Sequence, residues 1–285
     1  MAFERSATVL PGGSVLAESG PMRLVISASV GKVVQTKLAL RAAEQSFGLL
    51  ERVASHRNFL GRQFLEYRKE MKDPLVQRMI DSVIMVGDRD LTPMAAVAGT
   101  LADEVANFLF ERGMTKVVVD NGGDVAVRTD QEEPITVGIR PDVNDRTVSY
   151  VIRLDPLIRS HGVATSGLGG RSLTRGIASA ATTIARTASL ADAAATAVAN
   201  ASFLEDEQVQ RRPAEELDPY TDIAGLDVTV KVGALSEEKK SRALSQAIRR
   251  AEDLVQREVI LGAFVAVQGL TAMTTYFRDR LVEQS

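Results

Sequence analysis

The sequence predicts an α+β fold, and three observations support this prediction. Short runs rich in β-branched residues, such as VVVD, DVAVR and ITVGI, are typical of strands. Apolar residues recur at intervals of three and four from Lys32 to about Val53, which indicates a helix. Two more segments combine helical spacing with many alanines. No repeat or linker divides the 285 residues, so we expect a single domain over residues 1–285, with mixed or antiparallel sheets packed against several helices.

The first part of the chain is predicted to form a hairpin, a strand and then helices. The turn PGGS separates two short alternating runs, and MRLVISASV continues as a strand. Helical spacing predicts helices over residues 32–53, 59–70, 75–86 and 92–112. The last of these should begin with the hydroxyl of Thr92 as N-cap and Pro93 in the first turn, and should end at Gly113.

Strands dominate the second part of the chain. The predicted strands are TKVVVD, DVAVR, PITVGIR, SYVIRL, GVAT and IASAATTIA. An alanine-rich helix over residues 190–203 precedes a polar stretch, residues 205–222, that we expect to be a loop. The strand VTVKV, a helix over residues 236–257 and the apolar strand VILGAFVAV follow. That last strand would suit either the centre of a sheet or a contact between subunits of a homo-oligomer.

Composition excludes several classes of function. The chain has 34 basic and 37 acidic residues spread along its length, so it predicts no nucleic-acid partner. It has no cysteine, which excludes disulfides, thiolate nucleophiles and cysteine zinc sites, and its two histidines, His56 and His161, are too few for a histidine-rich metal site. No run approaches the ~18 apolar residues of a membrane span, and the N-terminus has no secretory pattern, so we expect a cytoplasmic protein without a membrane partner.

The alanine-rich segment SLADAAATAVAN offers oxygen ligands on one helix face. Asp192, Thr196 and Asn200 are spaced four residues apart, so their side chains lie one turn from each other. A carboxylate beside a hydroxyl suits Mg²⁺, which takes oxygen ligands and is often completed by substrate phosphates. Alternatively, Ser189 and Asp192 form a capping box and Thr196 is a packed threonine. From spacing alone the structural interpretation is favoured.

The segment VVVDNGGDVAVR contains a turn between two strands. Asn-Gly is a strong hairpin signal, so the simplest interpretation is a tight turn. A binding interpretation is that Gly122 and Gly123 allow a ligand to approach the backbone closely, while Asn121 and Asp124 supply hydrogen bonds.

The segment VATSGLGGR breaks an apolar strand with hydroxyls, glycines and an arginine. Hydroxyls at Thr165 and Ser166, backbone N–H groups near Gly167 and Gly169, and the charge of Arg171 together suit a phosphate or pyrophosphate. The segment is neither a P-loop nor a dinucleotide fingerprint, because it lacks their spacing. A flexible surface loop is the alternative.

The segments TPMAAVAG, NGGD, VATSG and ADAAAT, in that order, resemble the ApbE superfamily of flavin transferases, which is T-fold-like. The chain is still more similar to an uncharacterised ApbE-like branch of that superfamily. The resemblance implies Mg²⁺ and FAD or FMN as cofactors and a small-molecule nucleotide as ligand. It implies that the metal ligands are Asp192, Thr196 and the main-chain carbonyl of Val97. The residues it places around the flavin nucleotide are Asn121, Gly122, Gly123, Asp124, Thr165, Ser166, Gly167, Gly169 and Arg171.

The chain also departs from the transferases. Their HIIDP-like segment is replaced here by RGIASAATTIARTA, and Ala98 stands where their lysine precedes the helix glycine. His161, just before the VATSG strand, is expected to have no catalytic duty. The resemblance therefore implies a flavin-nucleotide and Mg²⁺-binding protein that is a degenerate FAD:protein FMN transferase, with no catalytic residue identified. The alternatives are a non-catalytic accessory protein of sulfur metabolism (sulfide and homocysteine), acting with a protein partner, and an oligomeric scaffold.

Overall fold

The computed structural model describes residues 4–63, 71–130, 135–142, 148–170 and 172–283. The helices are α1 (Thr36–Ser55), α2 (Arg57–Leu60), α3 (Pro74–Val86), α4 (Val97–Phe110), α5 (Ala188–Ala201), α6 (Ala214–Leu217), α7 (Glu237–Gln256) and α8 (Thr275–Arg278). A short 3-10 helix, Pro93–Ala96, leads directly into α4. The strands are β1 (Arg5–Val9), β2 (Val15–Ser19), β3 (Met22–Val30), β4 (Val33–Val34), β5 (Lys116–Asn121), β6 (Asp124–Thr129), β7 (Thr136–Ile139), β8 (Tyr150–Arg153), β9 (Ser160–Ser166), β10 (Ala180–Ala185), β11 (Val209–Pro213), β12 (Asp227–Val232), β13 (Gly262–Val267), β14 (Leu270–Met273) and β15 (Leu281–Glu283).

One large antiparallel sheet organises the molecule. Its strand order is β1-β2-β3-β5-β6-β9-β10-β13-β14, with β4 paired to β3. β11 pairs with β12, and β15, β8 and β7 form a separate three-stranded sheet. The α+β prediction with antiparallel sheets is therefore confirmed.

The two faces of the large sheet are covered differently. α1, α4, α5 and α7 pack against one face, with α1 over β2 and β3, α4 over β5 and β6, α5 over β9 and β10, and α7 over β13 and β14. Part of the other face carries an apolar cluster that includes Val163, Ile184, Phe264 and Phe277 together with residues of β7 and β8. Within a strand, alternate residues therefore reach two chemically separate layers.

Most predicted elements are confirmed, and the exceptions have local causes. VILGAFVAV forms β13, which lies inside the sheet between β10 and β14 and is buried throughout. The first long helix begins at Thr36 and not at Lys32, because residues 33–34 pair with β3. The helix predicted over residues 59–70 is seen only as α2, and residues 64–70 of that prediction lie outside the described residues. The polar stretch 205–222 contains β11 and α6, so it is not simply a loop.

The predicted start of the helix at Thr92 is partly wrong. Pro93 does open a helix, but the first turn is 3-10, and the Thr92 side chain makes no capping hydrogen bond. Its hydroxyl donates instead to the carboxylate of Asp222, far along the chain. A tertiary contact has replaced the local cap that the sequence predicts.

α4 and α5 approach each other closely where they begin. A Cβ atom at Gly99 would lie 2.1 Å from the carbonyl oxygen of Ala188, so only glycine fits there. The small residues that the sequence shows in both helices thus permit backbone contact, and this contact brings the N-termini of the two helices together.

Candidate functional site

The N-termini of α4 and α5 are capped reciprocally by carboxylates. Asp192 on α5 accepts a hydrogen bond from the backbone N–H of Gly99 on α4, at 2.9 Å. Asp103 on α4 accepts hydrogen bonds from the N–H groups of Ala188 at 3.0 Å and Ser189 at 2.9 Å on α5. Each carboxylate satisfies N–H groups that have no partner inside their own helix, and each favours the positive end of a helix dipole. The two caps fix α5 in register against α4.

The negative charge of Asp103 is balanced by the guanidinium of Arg128. Its Oδ1 also accepts a hydrogen bond from Arg128 Nη2 at 2.7 Å, and both side chains are buried. Arg128 also donates from Nε to the side-chain oxygen of Asn107 at 2.9 Å and from Nη1 to the carbonyl of Val127 at 3.0 Å. A buried ion pair is stable only when such additional hydrogen bonds are present, so Asp103 belongs to the structural frame.

Asp192 has a different electrostatic environment. Among the described residues no cation pairs with it, and the side chain is half-buried. The pKa of the Asp192 carboxyl is raised to about 7, mainly because the group is buried. Hydrogen bonds from the N–H groups of Gly99 and Ala98 lower this pKa, and the charge of Asp103 raises it. A carboxylate with a high pKa and no cationic partner is a candidate position for a bound cation.

The structure corrects the capping-box interpretation of this segment. Thr187 is the N-cap of α5, and its hydroxyl accepts a hydrogen bond from the N–H of Leu190 at 3.3 Å. Asp192 caps the neighbouring helix and not its own. The local pattern Ser189–Asp192 therefore has no capping role within α5.

Asn121 of the NGGD turn lies on the other side of the same peptide group. Its Nδ2 donates to the carbonyl oxygen of Ala98 at 3.1 Å, and that carbonyl shares a peptide bond with the N–H that Asp192 accepts. Gly122 and Gly123 have φ of 66° and 112°, which explains why glycine occupies both positions of the turn between β5 and β6. Two segments picked out in the sequence thus meet at the Ala98–Gly99 peptide.

The VATSG segment divides between the two faces of the sheet. Thr165 pairs with Thr182 on β10, and their hydroxyls are 2.8 Å apart on the face away from α5. Ser166 pairs with Ala181, which packs against α5, so Ser166 lies on the helix face. Beyond it the chain turns, with the N–H of Gly170 donating to the carbonyl of Gly167 at 3.2 Å. Arg171 lies outside the described residues.

Sheet register brings the glycine turn beside this loop. β6 pairs with β9 from Arg128 opposite Ser160 to Val125 opposite Val163, so β6 begins, just after the glycine turn, at the edge of the sheet where β9 ends. Asp124, Asn121 and Ser166 share the face on which α4 and α5 lie. The Thr165 hydroxyl is not brought to that face.

Thr196 and Asn200 line a cavity of about 200 Å³ at the side of α5. Thr196 makes no side-chain hydrogen bond to the described residues, whereas Asn200 accepts from the backbone N–H of Arg175 at 2.9 Å. The cavity wall also includes Met94 and Ala95, just before α4, and Ser172 from the glycine loop. Thr196 thus faces this cavity, and Asp192, one turn earlier on α5, is not part of its wall.

No ready-made metal cage is present in the described part of the chain. Its residues include no group of three His, Cys, Asp or Glu side chains placed to hold a metal. The Thr196 hydroxyl is one helical turn from Asp192 on α5, and Val97, whose carbonyl is the third predicted ligand, opens α4 two residues before the Gly99 N–H that Asp192 accepts. These are oxygen donors, which fit a hard cation that takes its other ligands from phosphate and water.

His161 lies away from this region. It is 1% exposed on β9 and shares a face with Val163, opposite to α5. Neither ring nitrogen has a hydrogen-bond partner in the part of the chain that the structure describes. Burial is the main cause that lowers the pKa of His161 to about 4, so the ring is neutral at physiological pH.

With this geometry established, comparisons with known proteins identify the family. The family model described as AbpE bacteria matches residues 7–273. The chain belongs to this family. It is 33% identical over 186 residues to a UPF0280 protein of Methanoregula boonei, covering 64% of this chain and 73% of that protein. It is 37% identical over 126 residues to a UPF0280 protein of Archaeoglobus fulgidus, covering 44% of this chain and 49%, or about half, of that protein.

Solved structures show a related fold. The ApbE protein of Thermotoga maritima superposes with a TM-score of 0.53 at 12% identity, covering 99% of this chain and all of that chain. The flavinyl transferase ApbE of Pseudomonas stutzeri gives a TM-score of 0.49 at 15% identity, covering 98% of this chain and 97% of that one. The first of these likenesses shows a shared architecture. No described helix of this ApbE-like protein is both long and apolar enough to cross a bilayer.

Sequence reasoning missed Asp103 and Arg128. Asp103 was signalled by its position, since it directly follows the small and apolar run VAGTLA and lies four residues after Gly99, on the same side of α4. A charged residue that folds into an apolar helix face needs a partner, and Arg128 supplies it. The Thr92–Asp222 contact had no such signal, because 129 residues separate its partners in the chain.

Proposed function

We propose that this ApbE-like protein binds a flavin nucleotide, FAD or FMN, together with Mg²⁺, in the concave region between α4, α5 and the glycine loop. The observation that carries the proposal is Asp192, a half-buried carboxylate with a pKa raised to about 7 and no cation beside it among the described residues. Two of the segments similar to flavin transferases, TPMAAVAG and NGGD, meet at the peptide group that Asp192 caps, and the shared fold supports the comparison.

The proposed Mg²⁺ ligands are the Asp192 carboxylate, the Thr196 hydroxyl and the Val97 carbonyl. Asp192 keeps its orientation because one oxygen is held by the Gly99 N–H at 2.9 Å. The Thr196 hydroxyl needs no rearrangement to accept a ligand, because it makes no hydrogen bond to the described residues. When bound, Mg²⁺ would neutralise a diphosphate and fix its orientation.

The phosphate groups are proposed to lie against the glycine segments. Asn121, Gly122, Gly123 and Asp124 form the tight turn between β5 and β6, at the edge of the sheet where β9 ends. Gly169 has φ of 83°, and it follows Gly167 in a loop that can present N–H groups to an anion. Arg171 is proposed to add a positive charge. The Thr165 hydroxyl is not proposed to contact the phosphates, because it faces the other side of the sheet. Thr165 contributes only as the strand residue that precedes Ser166.

The positions of the two histidines favour nucleotide binding over transfer of an FMN group as the function of this site. Transfer of FMN to an acceptor hydroxyl requires a group that holds or moves a proton at the reacting oxygen. His161 is buried on the opposite face of the sheet, and His56 lies at the end of α1. The segment that replaces the transferase HIIDP motif forms β10 beneath α5. We therefore propose a degenerate transferase that retains nucleotide binding.

The test is equilibrium binding of FAD, followed by flavin fluorescence, with Mg²⁺ and with a chelator. We expect binding that depends on Mg²⁺ and that weakens at least about tenfold in Asp192→Asn and in Thr196→Val, because each removes a ligand oxygen. Asp253→Asn, an exposed carboxylate on α7, is the matched control and should bind as the wild type does.

Three outcomes would overturn this proposal in part or in whole. FAD binding that is indifferent to both Mg²⁺ and Asp192→Asn would remove the site assignment. Release of AMP from FAD with labelling of an acceptor would show a competent transferase. Absence of binding by FAD, FMN and adenine nucleotides would leave the accessory role in sulfur metabolism as the better hypothesis.

A further inference from the structure

Two cavities meet at the hydrogen bond between Thr92 and Asp222. The larger, of about 330 Å³, extends towards Gly61 and Arg62 after α2. The smaller, of about 200 Å³, extends to Thr196 on α5. Both are lined by Thr92 and Asp222, so this pair stands between Thr196, one of the proposed metal ligands, and a second open space.

The hydrogen bond between Thr92 and Asp222 does not serve the helix that Thr92 precedes. Thr92 is 2% exposed and occupies the N-cap position of the 3-10 helix, yet its hydroxyl donates to Asp222 Oδ2 and caps nothing. The other oxygen, Asp222 Oδ1, receives no hydrogen bond from the described residues. The carboxylate is thus oriented by one bond, with acceptor sites left towards the cavities.

Charge decides which part of a nucleotide fits here. The described wall of the smaller cavity includes the carboxylates of Asp90, Asp218 and Asp222 and one guanidinium, Arg175, which already pairs with Asp90. Although Arg62 lines the neighbouring cavity, this wall has three carboxylates and one guanidinium, so a phosphate placed here would meet net negative charge. Hydroxyl donors would not, because a carboxylate accepts hydrogen bonds and does so more strongly than a neutral group.

We propose that Asp222, oriented by Thr92, recognises the adjacent 2′ and 3′ hydroxyls of a nucleotide ribose. The inference rests on the proposed function, since it assumes that the diphosphate lies at the Thr196 end of the same cavity. A ribose is joined directly to its diphosphate, so it would occupy the next part of the cavity, towards Thr92. Met94, Ala95 and Ile223 give that region an apolar surface suited to the attached base.

This arrangement makes Asp222 a residue that determines specificity. A carboxylate with free lone pairs accepts from two neighbouring hydroxyls at once. A ligand without those hydroxyls leaves Asp222 with the Thr92 hydrogen bond alone, and sites built to accept from hydroxyls reject the deoxy analogue more strongly than an apolar pocket rejects a methylene.

The experiment is calorimetric titration of the full chain, in Mg²⁺, with FAD, ADP, 2′,3′-dideoxy-ADP and FMN. The wild type should bind ADP about tenfold more tightly than the dideoxy analogue. Asp222→Asn should weaken ADP binding about tenfold and the dideoxy analogue less than about twofold, so that discrimination disappears. Because an amide oxygen can still accept from Thr92, this variant should keep its fold.

Two variants separate hydroxyl recognition from a general change in charge. Asp218→Asn removes a negative charge from the same cavity, but Asp218 is exposed and already accepts from the Tyr220 N–H at 2.8 Å. It should leave the ratio of ADP to dideoxy-ADP affinity unchanged. Thr92→Val keeps the shape and loses the O–H that orients Asp222, so it should reduce that ratio about threefold.

The outcomes distinguish the two proposals. If the wild type binds FAD and ADP but does not discriminate against dideoxy-ADP, or if Asp222→Asn leaves the discrimination intact, the ribose assignment is overturned and the proposed function stands. An equal loss of FMN affinity in Asp222→Asn would assign the carboxylate to the ribityl chain and likewise overturn it. If no nucleotide binds the wild type, both proposals fail.

Discussion

The carboxylates of Asp103 and Asp192 perform the same structural task in opposite directions, but they differ in charge balance. Each accepts hydrogen bonds from the first turn of the other's helix. Asp103 is buried and neutralised by Arg128, whereas Asp192 has no cation among the described residues. The comparison separates a residue that fixes the helices from a residue that has remaining capacity for a ligand.

The comparison also explains why the small-residue helices and the glycine turn lie together. The Ala98–Gly99 peptide is held by Asp192 from one side and by Asn121 from the other. Any ligand that binds Asp192 therefore acts on a peptide group whose position is already set by the sheet. Preorganisation of this kind lowers the cost of binding, since the protein need not order these groups again.

The largest expected effect is that of Asp103→Asn on stability. The substitution leaves Arg128 as a buried charge without its partner and sets an amide N–H₂ against helix N–H groups. We expect the free energy of unfolding to fall by about 3–5 kcal/mol, measured by denaturant unfolding. Asp227→Asn, in a partly exposed pair with Arg211, is the control and should cost less than about 1 kcal/mol. A loss of under about 1 kcal/mol in Asp103→Asn would contradict the structural role.

His161 tests whether burial alone can shift an ionisable group in this fold. Its pKa is lowered from 6.5 to about 4, so the unfolded chain binds more protons than the native protein between those values. Native stability should therefore fall by about 3 kcal/mol, relative to His161→Leu, as pH drops from 6.5 to 4. The measurement is the difference between the two unfolding free energies across that range. A flat difference would show that the ring has a polar partner in solution.

Gly99→Ala probes the contact on which both caps depend. A Cβ there would lie 2.1 Å from the Ala188 oxygen, so α4 and α5 must separate. We expect a loss of about 1–3 kcal/mol in thermal or denaturant unfolding, together with weaker Mg²⁺-dependent FAD binding, since Asp192 would move relative to α4. Gly48→Ala on α1, where an added Cβ meets nothing within 4 Å, is the matched control and should not be destabilised. Wild-type stability in Gly99→Ala would contradict the close approach.

The elements were predictable where local pattern and tertiary packing agree, as in α3, α7 and β5. Local pattern failed where a distant residue supplies the partner: Thr92 has the sequence of an N-cap, but Asp222 takes its hydroxyl. The same reason limits prediction of the site. Spacing placed Asp192 and Thr196 on one helix face, but which helix Asp192 caps depends on the sheet order that brings α5 beside α4. The face taken by Thr165 depends on strand register, which a one-residue shift would reverse.

The smallest expected effect on stability is that of Asp192→Asn, and it has the sign opposite to that of Asp103→Asn. Because burial raises the pKa of Asp192 from 3.8 to about 7, the native protein binds more protons than the unfolded chain between these values, and wild-type stability should fall as pH rises through them. Asp192→Asn has no carboxyl to titrate, so at pH 8 its free energy of unfolding should exceed that of the wild type by about 1–2 kcal/mol. This is less than the full pKa shift would give, because water reaches the half-buried carboxylate. Mg²⁺ with ADP should remove the difference by stabilising only the wild type. If Asp192→Asn is instead less stable at pH 8, the carboxylate already has a compensating partner, and the contrast with Asp103 disappears.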